Sequence, residues 1–131
     1  MSKLLLAICL MTITFIGPSG VVQAQAPAPA GPVTIVTLVD VLSNANVAGN
    51  VENSGALLKQ LAADAEKMPG FVSFRILREA SRANHFIIFA VWKDMASFEA
   101  YSGSDTARAF RQAFQSKLGG PFDERIYIDL K

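Results

Sequence analysis

The stretch from Asn84 to Tyr101 (NHFIIFAVWKDMASFEAY) constrains the fold more than any other part of the chain. Its first half reads as a buried strand of about eight apolar residues, entered at Asn84-His85 and closed by Trp92-Lys93. Asp94 then stands where a helix N-cap is wanted, with a carboxylate able to accept the free backbone N–H groups of a first turn. The strand therefore passes at once into an amphipathic helix from about Met95 to Tyr101. Alternation along the strand puts His85, Ile87, Phe89 and Val91 on one face and Phe86, Ile88, Ala90 and Trp92 on the other. Both faces are apolar, so both require cover.

The remaining elements follow from periodicity and punctuation. Val33 to Leu42 (VTIVTLVDVL) is β-branched and apolar at nearly every position and reads as a strand. Ser43 to Asn50 carries three Asn and a Gly, hence a loop. Asn50 or Asn53 is the expected cap of a helix reaching about Lys67, with Leu57, Leu58, Leu61 and Ala65 forming its apolar stripe. Met68-Pro69-Gly70 stops that helix, and Phe71 to Arg78 forms a strand paired with Asn84–Trp92 in an antiparallel hairpin. Ser104 or Asp105 caps a last helix through about Leu118, with Phe110, Phe114 and Leu118 on one side and Arg108, Arg111 and Gln115 facing mainly solvent. Phe122 to Leu130 closes the chain as a strand.

The order is β-α-β-β-α-α-β, a ferredoxin-like α+β pattern with a four-stranded antiparallel sheet and a second helix broken in two. Helices cover one sheet face. The economical cover for the other is a second copy of the sheet, so a symmetric homodimer is expected.

Residues 1–24 read as an export signal rather than as structure. Lys3 precedes an apolar core from Leu4 to Ile16, and Val22-Gln23-Ala24 fits the small-x-small cleavage rule. That core is shorter than the roughly 20 residues of a spanning helix, so a membrane is met only through an uncleaved signal. Residues 25–32 form an Ala/Pro linker, and 33–131 the domain. The expected location is periplasmic or secreted. Removing 1–24 takes away Lys3 and the sole cysteine, leaving eleven basic against eleven acidic side chains. Such neutrality argues against nucleic acid as a partner. One histidine and no mature cysteine cannot supply the ligands of a zinc or iron site, so no metal is expected.

The Pro69-Gly70 turn, the His85-Phe86 strand entry, Val91-Trp92-Lys93-Asp94 and the Ala109-Phe110 helix together resemble the antibiotic biosynthesis monooxygenase (ABM) family, over roughly Val33 to Leu130. The resemblance implies a dimeric α+β barrel. It also implies an oxygenase that needs neither metal nor flavin and acts on a small aromatic such as a quinol, polyphenol or anthrone. Its ligand cavity would lie between sheet and helices, on the Trp92 face. Substrate-binding residues are then Trp92, Phe74, Ile88, Phe98, Phe110 and Phe114, and the catalytic candidates are His85 and Tyr101.

Each candidate has a bland alternative. His85 is either a general base or a strand-entry histidine bonded to nearby backbone, and its parity points it toward the dimer side. Trp92 either offers its indole N–H to a substrate oxygen or wedges helix and sheet apart. Tyr101 lies near a position where many relatives carry histidine and haem degraders carry tryptophan. Ala90 stands where relatives often have glutamate. No haem is expected, because the histidine that haem-degrading relatives place on the last helix is missing from Asp105–Leu118. These departures leave a second reading open, a non-catalytic small-molecule-binding dimer of the same fold.

Overall fold

A computed structural model describes residues 28–130; the export signal read at residues 1–24 and the start of the linker lie outside the described residues. The elements are β1 (Val33–Asp40), α1 (Asn50–Ala65), β2 (Phe71–Arg78), β3 (His85–Trp92), α2 (Met95–Ser102), α3 (Asp105–Phe114) and β4 (Asp123–Ile128), with a single 3₁₀ turn at Gln115–Lys117. The expected order holds. The strands lie in the order β2-β3-β1-β4, every neighbouring pair antiparallel. That is the ferredoxin-like interleaving, in which each helical crossover skips one strand.

The register lays the helix-facing residues in three rows across the sheet. Phe71, Trp92, Val33 and Ile128 form the first row, Phe74, Ala90, Ile35 and Ile126 the second, and Ile76, Ile88, Thr37 and Glu124 the third. The helices bury the β1 and β3 members of these rows: Trp92 and Val33 are fully inaccessible, Ile35, Ile88, Ala90 and Thr37 nearly so. The opposite face carries Val36, Leu38, Ile87, Phe89, Val91 and Leu77, with nothing over them among the described residues.

Two helix starts follow the expected chemistry. The Asp94 carboxylate accepts the Ser97 N–H at 2.8 Å and the Ser97 hydroxyl at 2.6 Å, and the Ser104 hydroxyl accepts the Ala107 N–H at 3.2 Å. Gly70 makes the approach to that first turn of α2 possible. Its φ of 81° is left-handed, and a Cβ there would lie 2.1 Å from the Ser97 hydroxyl oxygen.

The start of α1 differs from expectation. Gly49, at φ 71°, occupies the cap with no side-chain bond. Asn50 lies inside the helix, and its buried amide donates to the carbonyls of Leu42 (2.8 Å) and Lys117 (3.0 Å). Two carbonyls from distant segments satisfy that amide, an outcome that local cap propensity does not register. The last helix also ends earlier than Leu118, at Phe114, where the chain tightens into the 3₁₀ turn. β1 stops at Asp40, with Val41 continuing only as a bridge to Leu118.

Candidate functional site

Between sheet and helices lies a cavity of about 210 Å³. Its origin is readable in the second row of the sheet, where Ala90 sits between Phe74 and Ile35 and leaves room that a larger side chain would fill. Phe74, Ile88, Ile35 and Thr37 complete the floor. Leu61 from α1, Phe98 and Tyr101 from α2, and Ala107 and Phe110 from α3 form the roof. The exposed side chains Arg111 and Glu124 mark the mouth, with Ser102 beside them.

Trp92 forms the deep wall. Its ring stacks on Tyr101 with centroids 4.7 Å apart and planes at 27°, and meets Phe71 edge-on at 5.9 Å and 88°. The indole N–H is buried and has no hydrogen-bond partner among the described residues. A buried donor left unpaired costs about 1–3 kcal/mol. Such an unpaired buried donor is unusual in a folded protein, and it belongs to a residue that lines the cavity.

Burial raises the Tyr101 phenol above its ordinary value of 10.0, and the negative charge of Glu124 adds to the shift while Arg111 opposes it. Tyr101 is therefore a hydrogen-bonding group and not a base at neutral pH. Arg111 is held at the mouth by its own contact, a guanidinium N–H donated to the Ser102 carbonyl at 2.7 Å. That bond joins the end of α2 to α3. Glu124 stands opposite Thr37 in the β1–β4 register, on the helix side of the sheet.

The structure brings together Trp92, Phe74, Ile88, Phe98, Phe110 and Tyr101 at this cavity. It does not bring Phe114, which is fully buried in a neighbouring cluster against Phe110 and Phe122, at 4.9 Å and 5.7 Å between ring centroids. Nor does it bring His85. That side chain lies on the uncovered face, its Nδ1 against the Asp40 carboxylate across the β1–β3 pair, in a separate cleft with Arg78, Glu79 and Arg82. The sheet separates it from the cavity. Parity along β3 had already indicated this placement, and His85 is not among the residues that line the cavity.

Four polar lining residues were not singled out as site residues from the sequence: Thr37, Ser102, Arg111 and Glu124. Arg111 reaches solvent as expected and also lines the cavity. A signal for Glu124 exists in the alternation of Phe122, Glu124, Ile126 and Ile128, where one carboxylate interrupts an otherwise apolar face.

The antibiotic biosynthesis monooxygenase family model matches residues 47–113. No curated protein matches the sequence. Among solved structures, a Nitrosomonas europaea protein assigned as an antibiotic biosynthesis monooxygenase superposes with a TM-score of 0.69 at 16% identity, covering 78% of this chain and 93% of its own. SnoaB from Streptomyces nogalater, a cofactor-independent oxygenase, gives 0.67 at 22% identity, covering 78% and 96%. PA3566 from Pseudomonas aeruginosa gives 0.67 at 16%, covering 78% and 97%. At these identities the likeness is one of fold.

Proposed function

The chain belongs to the antibiotic biosynthesis monooxygenase family, and on that premise we propose that it is an exported, cofactor-independent monooxygenase oxidising a small aromatic substrate with molecular oxygen. The observation that carries this reading is the apolar, aromatic-lined cavity whose wall includes Trp92, a residue whose buried indole N–H has no partner among the described residues. A phenolic oxygen is an acceptor that would satisfy it, and the ring of such a substrate suits walls made of Phe74, Phe98 and Phe110. Chemistry of this kind asks the protein to hold a flat ring, take one proton and keep water from the resulting anion.

Size narrows the substrate class. The cavity exceeds the ~150 Å³ that accommodates benzene and falls below the ~300 Å³ at which larger ligand sites begin. One-ring quinols fit this volume better than three-ring anthrones. The uncovered sheet face, with Phe89, Ile87 and Leu38 at its centre, supports the further proposal that two chains associate face to face.

A non-catalytic binding role is favoured by one observation: Ala90 and a Tyr101 held protonated leave few proton-transfer groups deep in the cavity. Oxygen uptake by the purified protein with a panel of hydroquinones separates the two. Saturable uptake above the spontaneous rate, lost in Ala90→Leu that fills the floor, establishes the oxygenase. Uptake no faster than the spontaneous rate, with hydroquinone binding retained, establishes the binding role.

A further inference from the structure

Resting on the reading of this cavity as a phenol-oxidising site, we propose that Glu124 is the proton acceptor of the reaction and that Arg111 holds the aromatic anion formed. The groups lining the cavity that carry exchangeable protons or lone pairs are Thr37, Trp92, Tyr101, Ser102, Arg111 and Glu124. The indole N–H donates and cannot accept a proton, and a guanidinium stays charged throughout the working pH range. Two aliphatic hydroxyls are far too weakly basic. Tyr101 is kept protonated by its burial. The single histidine is on the other side of the sheet. Glu124 is the one carboxylate on the lining, and it is exposed at the mouth, where a captured proton can pass to solvent.

Position agrees with this role. Glu124 extends the row of Ile88 and Thr37 on the floor, so its side chain rises from the sheet toward α3, which carries Arg111. No salt bridge joins Glu124 to Arg111 among the described residues, so the carboxylate is not already neutralised by that cation. A substrate hydroxyl between them would meet a proton acceptor on one side and a fixed positive charge on the other.

The step balances with oxygen as the only co-reactant. Glu124 takes the proton of a hydroquinone hydroxyl, leaving the anion beside Arg111. The anion passes one electron to O2, and the radical pair forms a carbon–oxygen bond at the ring. The peroxide so formed takes back the proton from Glu124 and eliminates water. One oxygen atom stays on the product, a hydroxyquinone, and the other leaves in the water.

Two measurements test the proposal, with methylhydroquinone as the oxidisable probe and 4-nitrophenol as a probe that needs no turnover. Glu124 is exposed, so Glu124→Gln leaves the core untouched. It is expected to lower kcat by about 100-fold or more and to abolish the acidic limb of the pH–rate profile, whereas Glu124→Asp retains that limb. Tyr101, its phenol raised by burial, does not titrate in that limb. Binding of 4-nitrophenol above the pH at which it ionises should draw a proton from solvent onto Glu124. Calorimetry in two buffers of different ionisation heat counts that proton, and Glu124→Gln should remove it. An Arg111→Gln variant should bind the nitrophenol about tenfold more weakly.

If the wild type oxidises methylhydroquinone and Glu124→Gln matches it in rate and pH profile, the assignment of Glu124 is overturned while the oxygenase reading stands. Proton uptake that vanishes in Glu124→Gln without any oxygen consumption by the wild type overturns the oxygenase reading and leaves the phenol contact in place. Proton uptake unchanged by the substitution, or no binding of nitrophenol at millimolar concentration, overturns the proposal outright.

Discussion

Replacing Trp92 by phenylalanine should separate folding stability from ligand binding. The substitution removes a buried N–H that has no partner, which relieves about 1–3 kcal/mol. Against this, the smaller ring vacates roughly 40 Å³, costing about 1 kcal/mol in cavity formation, and loses about 1–2 kcal/mol of apolar burial. The stack on Tyr101 and the edge contact with Phe71 are kept in kind, since a phenyl ring can make both. These terms nearly cancel, so urea unfolding followed by circular dichroism should place Trp92→Phe within about 1–2 kcal/mol of the wild type. Trp92→Ala, which keeps none of the compensation, should lose about 3–5 kcal/mol. Ligand binding should respond differently. A hydrogen bond from the indole to a phenolic oxygen is worth about 0.5–1.5 kcal/mol, and about 1.5–3 kcal/mol once that oxygen is charged. Trp92→Phe should thus weaken phenol binding by about threefold to tenfold and slow turnover by more, as the transition state carries the charge. A loss of stability in Trp92→Phe as large as in Trp92→Ala would refute the reasoning, because the N–H must then be satisfied in the folded protein. Unchanged affinity and rate would show that no ligand uses it.

Gly70→Ala should destabilise the fold by at least about 2 kcal/mol in urea unfolding, since the residue is left-handed and its new Cβ would meet Ser97 at 2.1–2.4 Å. Asp94→Asn should lower Tm near neutrality, with a gap to wild type that narrows in acid. The bonds from the Ser97 hydroxyl and N–H hold the Asp94 carboxyl below its ordinary 3.8, so its contribution is complete above that pH and is lost as the pH falls through the lower folded value. A gap that stays constant down to acid pH would exclude this origin. Phe89→Asp, at the centre of the uncovered face, should convert a dimer to a monomer in light scattering; a monomeric wild type would remove the proposed assembly.

The sequence made the β3 side of the site legible because a strand's faces are fixed by a period of two. Ala90 and Trp92 on one side and His85 on the other followed from counting, as did the capping of α2 by Asp94. Long-range pairing was not legible in the same way. Glu124 enters the cavity because β4 joins β1 with residue 124 opposite Thr37, a register set by contacts across almost the whole described chain. Phe114 shows the limit of helical spacing: it lies one turn beyond Phe110, and that turn carries it past the cavity into the Phe110–Phe114–Phe122 cluster. Asn50 shows the limit of cap propensity, since its amide is claimed by carbonyls of Leu42 and Lys117 that only the folded chain presents.

The chain contains a single tryptophan, and that residue is the deep wall of the cavity. Its emission therefore originates at one place, shielded from water and beside the cavity. The fluorophore should emit toward the blue in the folded protein and shift red on unfolding. An electron-accepting quinone lodged beside it should quench it by electron transfer from the excited indole, without any label. Rapid-mixing fluorescence would then follow product formation and release within the cavity in real time, in the same wild-type protein whose oxygen consumption is being recorded.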